Sequence, residues 1–131
     1  MNSTDSPHTH LRKLQDKRDC VSIIVTMMKM LRQHLPNYVD VCATSEEFRS
    51  GVGILYLLEK VHPEPEKVVI NVKNHKFAHI ENWKCFFQQL KELGLTSAET
   101  IDVNRIVNGQ SYSAEAVTLF GKFQNYVKSK L

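Results

Sequence analysis

Phe48-Arg49-Ser50-Gly51-Val52-Gly53-Ile54-Leu55-Tyr56-Leu57-Leu58, closed by His62-Pro63, is the stretch that decides the fold. Phe48, Val52, Leu55 and Leu58 recur at the three- and four-residue spacing of one helical face. Thr44 or Ser45 can cap the first turn, Glu46 and Glu47 suit its positive end, and Pro63 stops continuation. A helix is therefore predicted from about residue 44 or 45 to just before residue 63. Gly51 and Gly53 each cost such a helix up to ~1 kcal/mol against Ala, a penalty expected where another backbone approaches closely or where the helix begins late.

Helices continue on both sides. Upstream, the chain from about Leu11 to Leu35 holds no Pro or Gly, and Ile24, Met27, Met28, Leu31 and Leu35 form a stripe that Pro36 ends. Val21, Ile23, Val25 and Met30 make that helix apolar nearly all round, the pattern of a central helix buried on several sides. Residues 1–10 are polar and aperiodic and read as a flexible N-terminal tail, leaving 11–131 as one domain. Downstream, Pro63, Glu64 and Pro65 impose an extended linker, and Lys67 to Phe77 reads as irregular. A third helix is predicted from about Ile80 to Leu93, with Trp83, Phe86, Phe87, Leu90 and Leu93 on one face and Gly94 as its left-handed stop. Asp102 caps a short helix that Gly109 ends, and Ser113 caps a last helix whose Ala116, Leu119, Phe120, Phe123 and Val127 face inward. The fold class is all-α, a compact single-domain helical bundle.

Composition narrows the function. A chain of 131 residues buries roughly two-thirds of its unfolded surface and needs no staples. Cys20, Cys42 and Cys85 are odd in number and scattered, so they read as buried thiols of a reducing compartment. Neither an apolar leader nor a run of ~18 apolar residues is present, which predicts a soluble protein of the cytoplasm or nucleus. A net charge of +3 is too small for a dedicated nucleic-acid binder.

No motif carries chemistry. Gly51-Val52-Gly53 sits inside a helical pattern with no strand before it, so it is no phosphate loop. His8 and His10 lack further ligands, and His62, His75 and His79 read as solvated linker histidines. Cys85 has no base beside it, and Trp83, Phe86, Phe87, Met27, Met28 and Met30 read as core. The expectation is a protein that is not an enzyme and has no cofactor or metal. What remains is basic charge: Arg12, Lys13, Lys17 and Arg18 near the start, then Lys67, Lys73, Lys76, Lys84 and Lys91 in the linker and third helix.

Three segments in order carry a family resemblance. The opening run Phe48 to Leu58 with His62-Pro63 resembles the calponin homology segment in which glycine precedes a leucine-rich helix and a proline. Ile80-Glu81-Asn82-Trp83-Lys84, with Leu90 and Leu93-Gly94-Leu95, is similar to that family's asparagine-led third helix and its leucine-glycine turn. Ile101 to Gly109 resembles the short helix before the last one, in the manner of the microtubule end-binding branch. Val68-Val69-Ile70-Asn71-Val72 is apolar where end-binding proteins are rich in lysine.

The resemblance implies a calponin-homology-type bundle used for protein recognition. End-binding, Ndc80 and Nuf2 relatives contact tubulin, Hook and NuMA relatives serve dynein, and others bind actin. The expectation is a module of a cytoskeletal or mitotic-spindle protein that meets the microtubule through Lys67, Lys73, Lys76, Lys84 and Lys91. It would work at the microtubule, spindle or centrosome and dimerise through segments outside this chain. The alternative is an adaptor that receives a partner helix, such as that of the dynein light intermediate chain, or an actin-binding domain.

Overall fold

The computed structural model describes residues 22–36, 45–96, 101–110 and 112–131. The expected tail, the basic cluster Arg12 to Arg18, and Cys20, Cys42 and Thr44 lie outside them. Helix α1 covers the described residues 22–34. Helices α2 (Ser45–Phe48), α3 (Val52–Val61), α4 (Lys76–Glu92), α5 (Val103–Val107) and α6 (Ala114–Lys130) follow, with a 3-10 turn at Pro65–Lys67. There is no strand among the described residues.

The single helix expected between residues 44 and 63 is instead two, broken at Gly51. Ser50 and Gly51 donate back to the Glu47 and Phe48 carbonyls, closing α2. Gly51 then takes a φ of +76° and α3 starts at Val52, whose N–H is accepted by the Ser50 hydroxyl at 3.2 Å. Only glycine fits at the break, where α4 crosses: a Cβ on Gly51 would lie 2.8 Å from the Asn82 Cβ and 3.3 Å from the Trp83 ring.

Asn82 and Trp83 convert that close approach into hydrogen bonds. The Trp83 indole N–H donates to the Arg49 carbonyl at 2.8 Å. The buried Asn82 amide donates to the Ser50 and Asn71 carbonyls at 2.9 Å each, and its oxygen accepts the Asn71 N–H at 2.8 Å. One residue thus ties α4 to both the α2–α3 turn and the linker, as a buried polar group must be tied.

Around this junction lies the core. Trp83 meets Phe48 edge-on at 5.5 Å and Phe86 at 5.7 Å, and Phe86 meets Phe123 at 5.0 Å. Such aromatic pairs add ~0.5–1.5 kcal/mol each beyond area burial. Helix α3 is central among the helices from α2 onward: seven residues from Val52 to Val61 are buried, and it touches α2, the 3-10 turn, α4 and α6. The expected burial of α1 nearly all round holds only in part, since Met27, Met30, Leu31 and Leu35 are buried but Val25 stands 44% exposed. The Lys60 ammonium donates to the His34 carbonyl at the end of α1, a favourable place for a cation.

The last two helices follow expectation. Asp102 caps α5 through the Asn104 N–H, Ser113 caps α6 through the Ala116 N–H, and all five predicted α6 positions are buried. Gly94 and Gly109 end α4 and α5 in left-handed geometry. Helix α4 differs, beginning at Lys76, a turn before Ile80, because the His75 ring accepts the Ala78 N–H at 3.1 Å as its cap.

Candidate interaction surface

Residues 62–75 run back along α4, opposite to its direction. His62 faces Gln89 near the far end, Asn71 faces Asn82 in the middle, and His75 caps the start. His62 is therefore structural, contrary to its reading as solvated, while His75 caps α4 from an exposed position. His62 is 8% exposed, with Nε2 2.8 Å from the Gln89 oxygen while Nδ1 accepts the Glu64 N–H. An Nδ1 that accepts leaves the ring proton on Nε2, which donates to Gln89. His79 is half-buried on the second turn of α4.

The five predicted lysines are all exposed, but the fold divides them. Lys73 lies in the linker just ahead of Lys76, the first residue of α4. At 100° per residue Lys76, Lys84 and Lys91 fall within about 80° of one another around the helix, spread over about 22 Å of its length. Lys67 belongs elsewhere. Its ammonium pairs with Glu64 at 2.7 Å, and that hydrogen bond, with the charges of Glu64, Glu92 and Glu66, raises its pKa. The same bond lowers the pKa of Glu64. A lysine so matched by carboxylates adds little to a basic face.

Apolar exposure in the linker and the first turn of α4 was missed by sequence reasoning. Val69, Val72 and Phe77 are 69%, 67% and 66% exposed. The signal lay in phase: once α4 starts at Lys76, Phe77 falls opposite Phe86 and far from Trp83 and Leu90, so it cannot join their buried stripe.

A second basic feature lies between α1 and α6. Lys29 and Lys128 flank a groove of about 440 Å³ that Met30 and Leu131 line with apolar atoms. The described residues 22–36 and the whole of 116–131 contain no Asp or Glu side chain. The sequence signal was available, as two acid-free stretches, but their meeting is a tertiary fact.

Among the described residues no group of three or more His, Cys, Asp or Glu is placed to hold a metal, and no helix is long and apolar enough to cross a membrane. Cys85 is half-buried on α4. In comparison with known proteins, the family model described as the calponin homology (CH) domain matches residues 24–128. No curated protein and no solved structure gives a significant match.

Proposed function

The chain belongs to the calponin homology family, whose members are binding modules of cytoskeletal proteins, and from that premise we propose that it is a non-catalytic module that meets an acidic filament, the microtubule, through Lys73, Lys76, Lys84 and Lys91. The observation that carries this reading is the charge of the linker and early α4: residues 68–80 contain Lys73 and Lys76 and no carboxylate. The first acid, Glu81, is engaged by the Asn71 amide at 3.2 Å. Lys67 drops out of the set because Glu64 already holds it.

Exposed lysine contacts contribute only a few tenths to ~1 kcal/mol each. A single domain then binds weakly and salt-sensitively, and useful affinity comes from avidity through segments outside this chain. The test is co-sedimentation with microtubules and, in parallel, actin filaments at about 50 and 200 mM salt. Pelleting with microtubules that salt weakens and that Lys73→Glu/Lys76→Glu/Lys84→Glu abolishes supports the reading. Absence of pelleting with either filament overturns it.

A second reading is favoured by the α1–α6 groove. There Met30 and Leu131 offer apolar atoms between Lys29 and Lys128, amid Thr26, Gln33, His34 and Gln124, and a partner's amphipathic helix laid on them would make the chain an adaptor. Binding of that kind resists salt, because apolar burial is not screened.

A further inference from the structure

Five large hydrophobic residues are exposed among the described residues, and three of them, Val69, Val72 and Phe77, fall within one short stretch. Single exposed apolar residues are ordinary on any surface, whereas a cluster on ordered backbone marks an interaction site. The backbone here is held. Both backbone polar groups of Asn71 face the Asn82 side chain, at 2.8 Å for its N–H and 2.9 Å for its carbonyl, and the Asn71 side-chain oxygen accepts the Lys73 N–H at 3.1 Å. Asn82 lies five residues along α4 from Phe77, about 7.5 Å of helix rise. Val72 follows Asn71 directly and Phe77 lies in the first turn of α4, so the two exposed side chains are five residues apart, with Lys73 and Lys76 between them in sequence and Lys84 further along α4.

We propose that Val69, Val72 and Phe77 form the dry centre of a docking surface rimmed by Lys73, Lys76 and Lys84, and that its occupant is an acidic protein segment presenting a large apolar side chain between carboxylates. The proposal rests on the basic-face reading above and deepens it by naming what the partner must carry. Charge complementarity selects the occupant. A rim of three lysines outweighs the one exposed carboxylate beside it, Glu81, which the Asn71 amide holds at 3.2 Å, and so attracts acidic chains, while the apolar centre discriminates among them, since only a partner with a matching apolar group desolvates Val72 and Phe77. A membrane surface fits less well. Electrostatic recruitment to anionic lipid draws on clusters of four to eight basic residues, and valines on a linker pinned to α4 offer little to insert.

The probes are two labelled acidic peptides of equal length and charge, one with a central Leu-Phe pair and the other with Ser-Ser there. They are titrated into the full chain by fluorescence anisotropy, and amide shifts are mapped by NMR. The Leu-Phe peptide is expected to bind about tenfold tighter, the scale of one buried apolar side chain. Shifts should centre on Val72 and Phe77. Val72→Ser/Phe77→Ser, checked for an unchanged melting temperature, should make the two peptides equal, and Lys73→Glu/Lys76→Glu should weaken both. Equal affinity for the wild type overturns the proposal, as do shifts confined to the α1–α6 groove. Phe77-dependent binding to phosphatidylserine vesicles without peptide discrimination also overturns it. Lysine-dependent pelleting on microtubules with equal peptide affinities removes this proposal and leaves the basic-face reading standing. Peptide discrimination without pelleting on any filament does the reverse.

Discussion

Gly51 and Gly94 share nearly the same left-handed backbone, with φ of +76° and +79°, yet they answer to different constraints. A Cβ at Gly94 would meet nothing within 4 Å, while at Gly51 it would press on Asn82 and Trp83. Gly94→Ala should therefore cost only the left-handed penalty, about 1–2 kcal/mol. Gly51→Ala should cost that plus about 1–3 kcal/mol of overpacking against α4. Urea unfolding of both variants measures the difference, and equal losses would mean that α4 yields to the added methyl. His79 supplies a second residue-scale prediction. Burial, and after it the neighbouring His75 charge, hold its imidazole below the ordinary value of 6.5. The unfolded chain then takes up a proton first as the pH falls below about 6.5, so stability is whole above that value and declines beneath it. The urea midpoint should be lower at about pH 5.5 than at about pH 7.5. His79→Gln should narrow that gap, and an unchanged gap would show that other groups set it.

Element boundaries were legible where a side chain announces them and hidden where tertiary contact decides. Asp102 and Ser113 are strong cap residues, and both cap as predicted. His75 is not a residue one expects at a cap, so the sequence pattern places the start of α4 a turn late and Phe77 in the linker. The break at Gly51 is partly local, through the Ser50 hydroxyl that accepts the Val52 N–H, and partly non-local, since the close approach of α4 leaves no room for a Cβ at the left-handed position. The cap is open to test. His75→Ala should cost about 1 kcal/mol and expose the Ala78 amide to faster hydrogen exchange, while His75→Asp restores both. Since Lys76 and Phe77 ride on that first turn, His75→Ala should also weaken acidic-peptide binding. Loss of stability without loss of exchange protection at Ala78 would place the contribution of His75 elsewhere.

At the scale of the molecule, the bundle and its core could be read from periodicity because Phe48, Trp83, Phe86, Phe120 and Phe123 obey helical spacing within each element. The surface could not, because a face is assembled from segments distant in sequence. Lys67 looked equivalent to Lys73 until the 3-10 turn put it against Glu64, and Lys29 and Lys128 showed no relation until α1 and α6 met. The chain thus offers two separate basic features on a net charge of only +3, and simple attraction to a polyanion would not distinguish them. Matched reversals do. Lys29→Glu/Lys128→Glu and Lys73→Glu/Lys76→Glu change the net charge equally and remove only exposed or groove-edge lysines, so both variants should keep the wild-type melting temperature within about 2 °C. If binding is steered by overall charge, both pairs weaken microtubule pelleting alike and added salt erases the remainder. If the α4 surface makes the contact, the Lys73/Lys76 pair lowers affinity about tenfold or more, while the Lys29/Lys128 pair changes it less than about threefold, the scale of long-range charge alone. The opposite ranking, together with affinity that salt barely alters, would place the partner in the α1–α6 groove and make the chain an adaptor for an amphipathic helix.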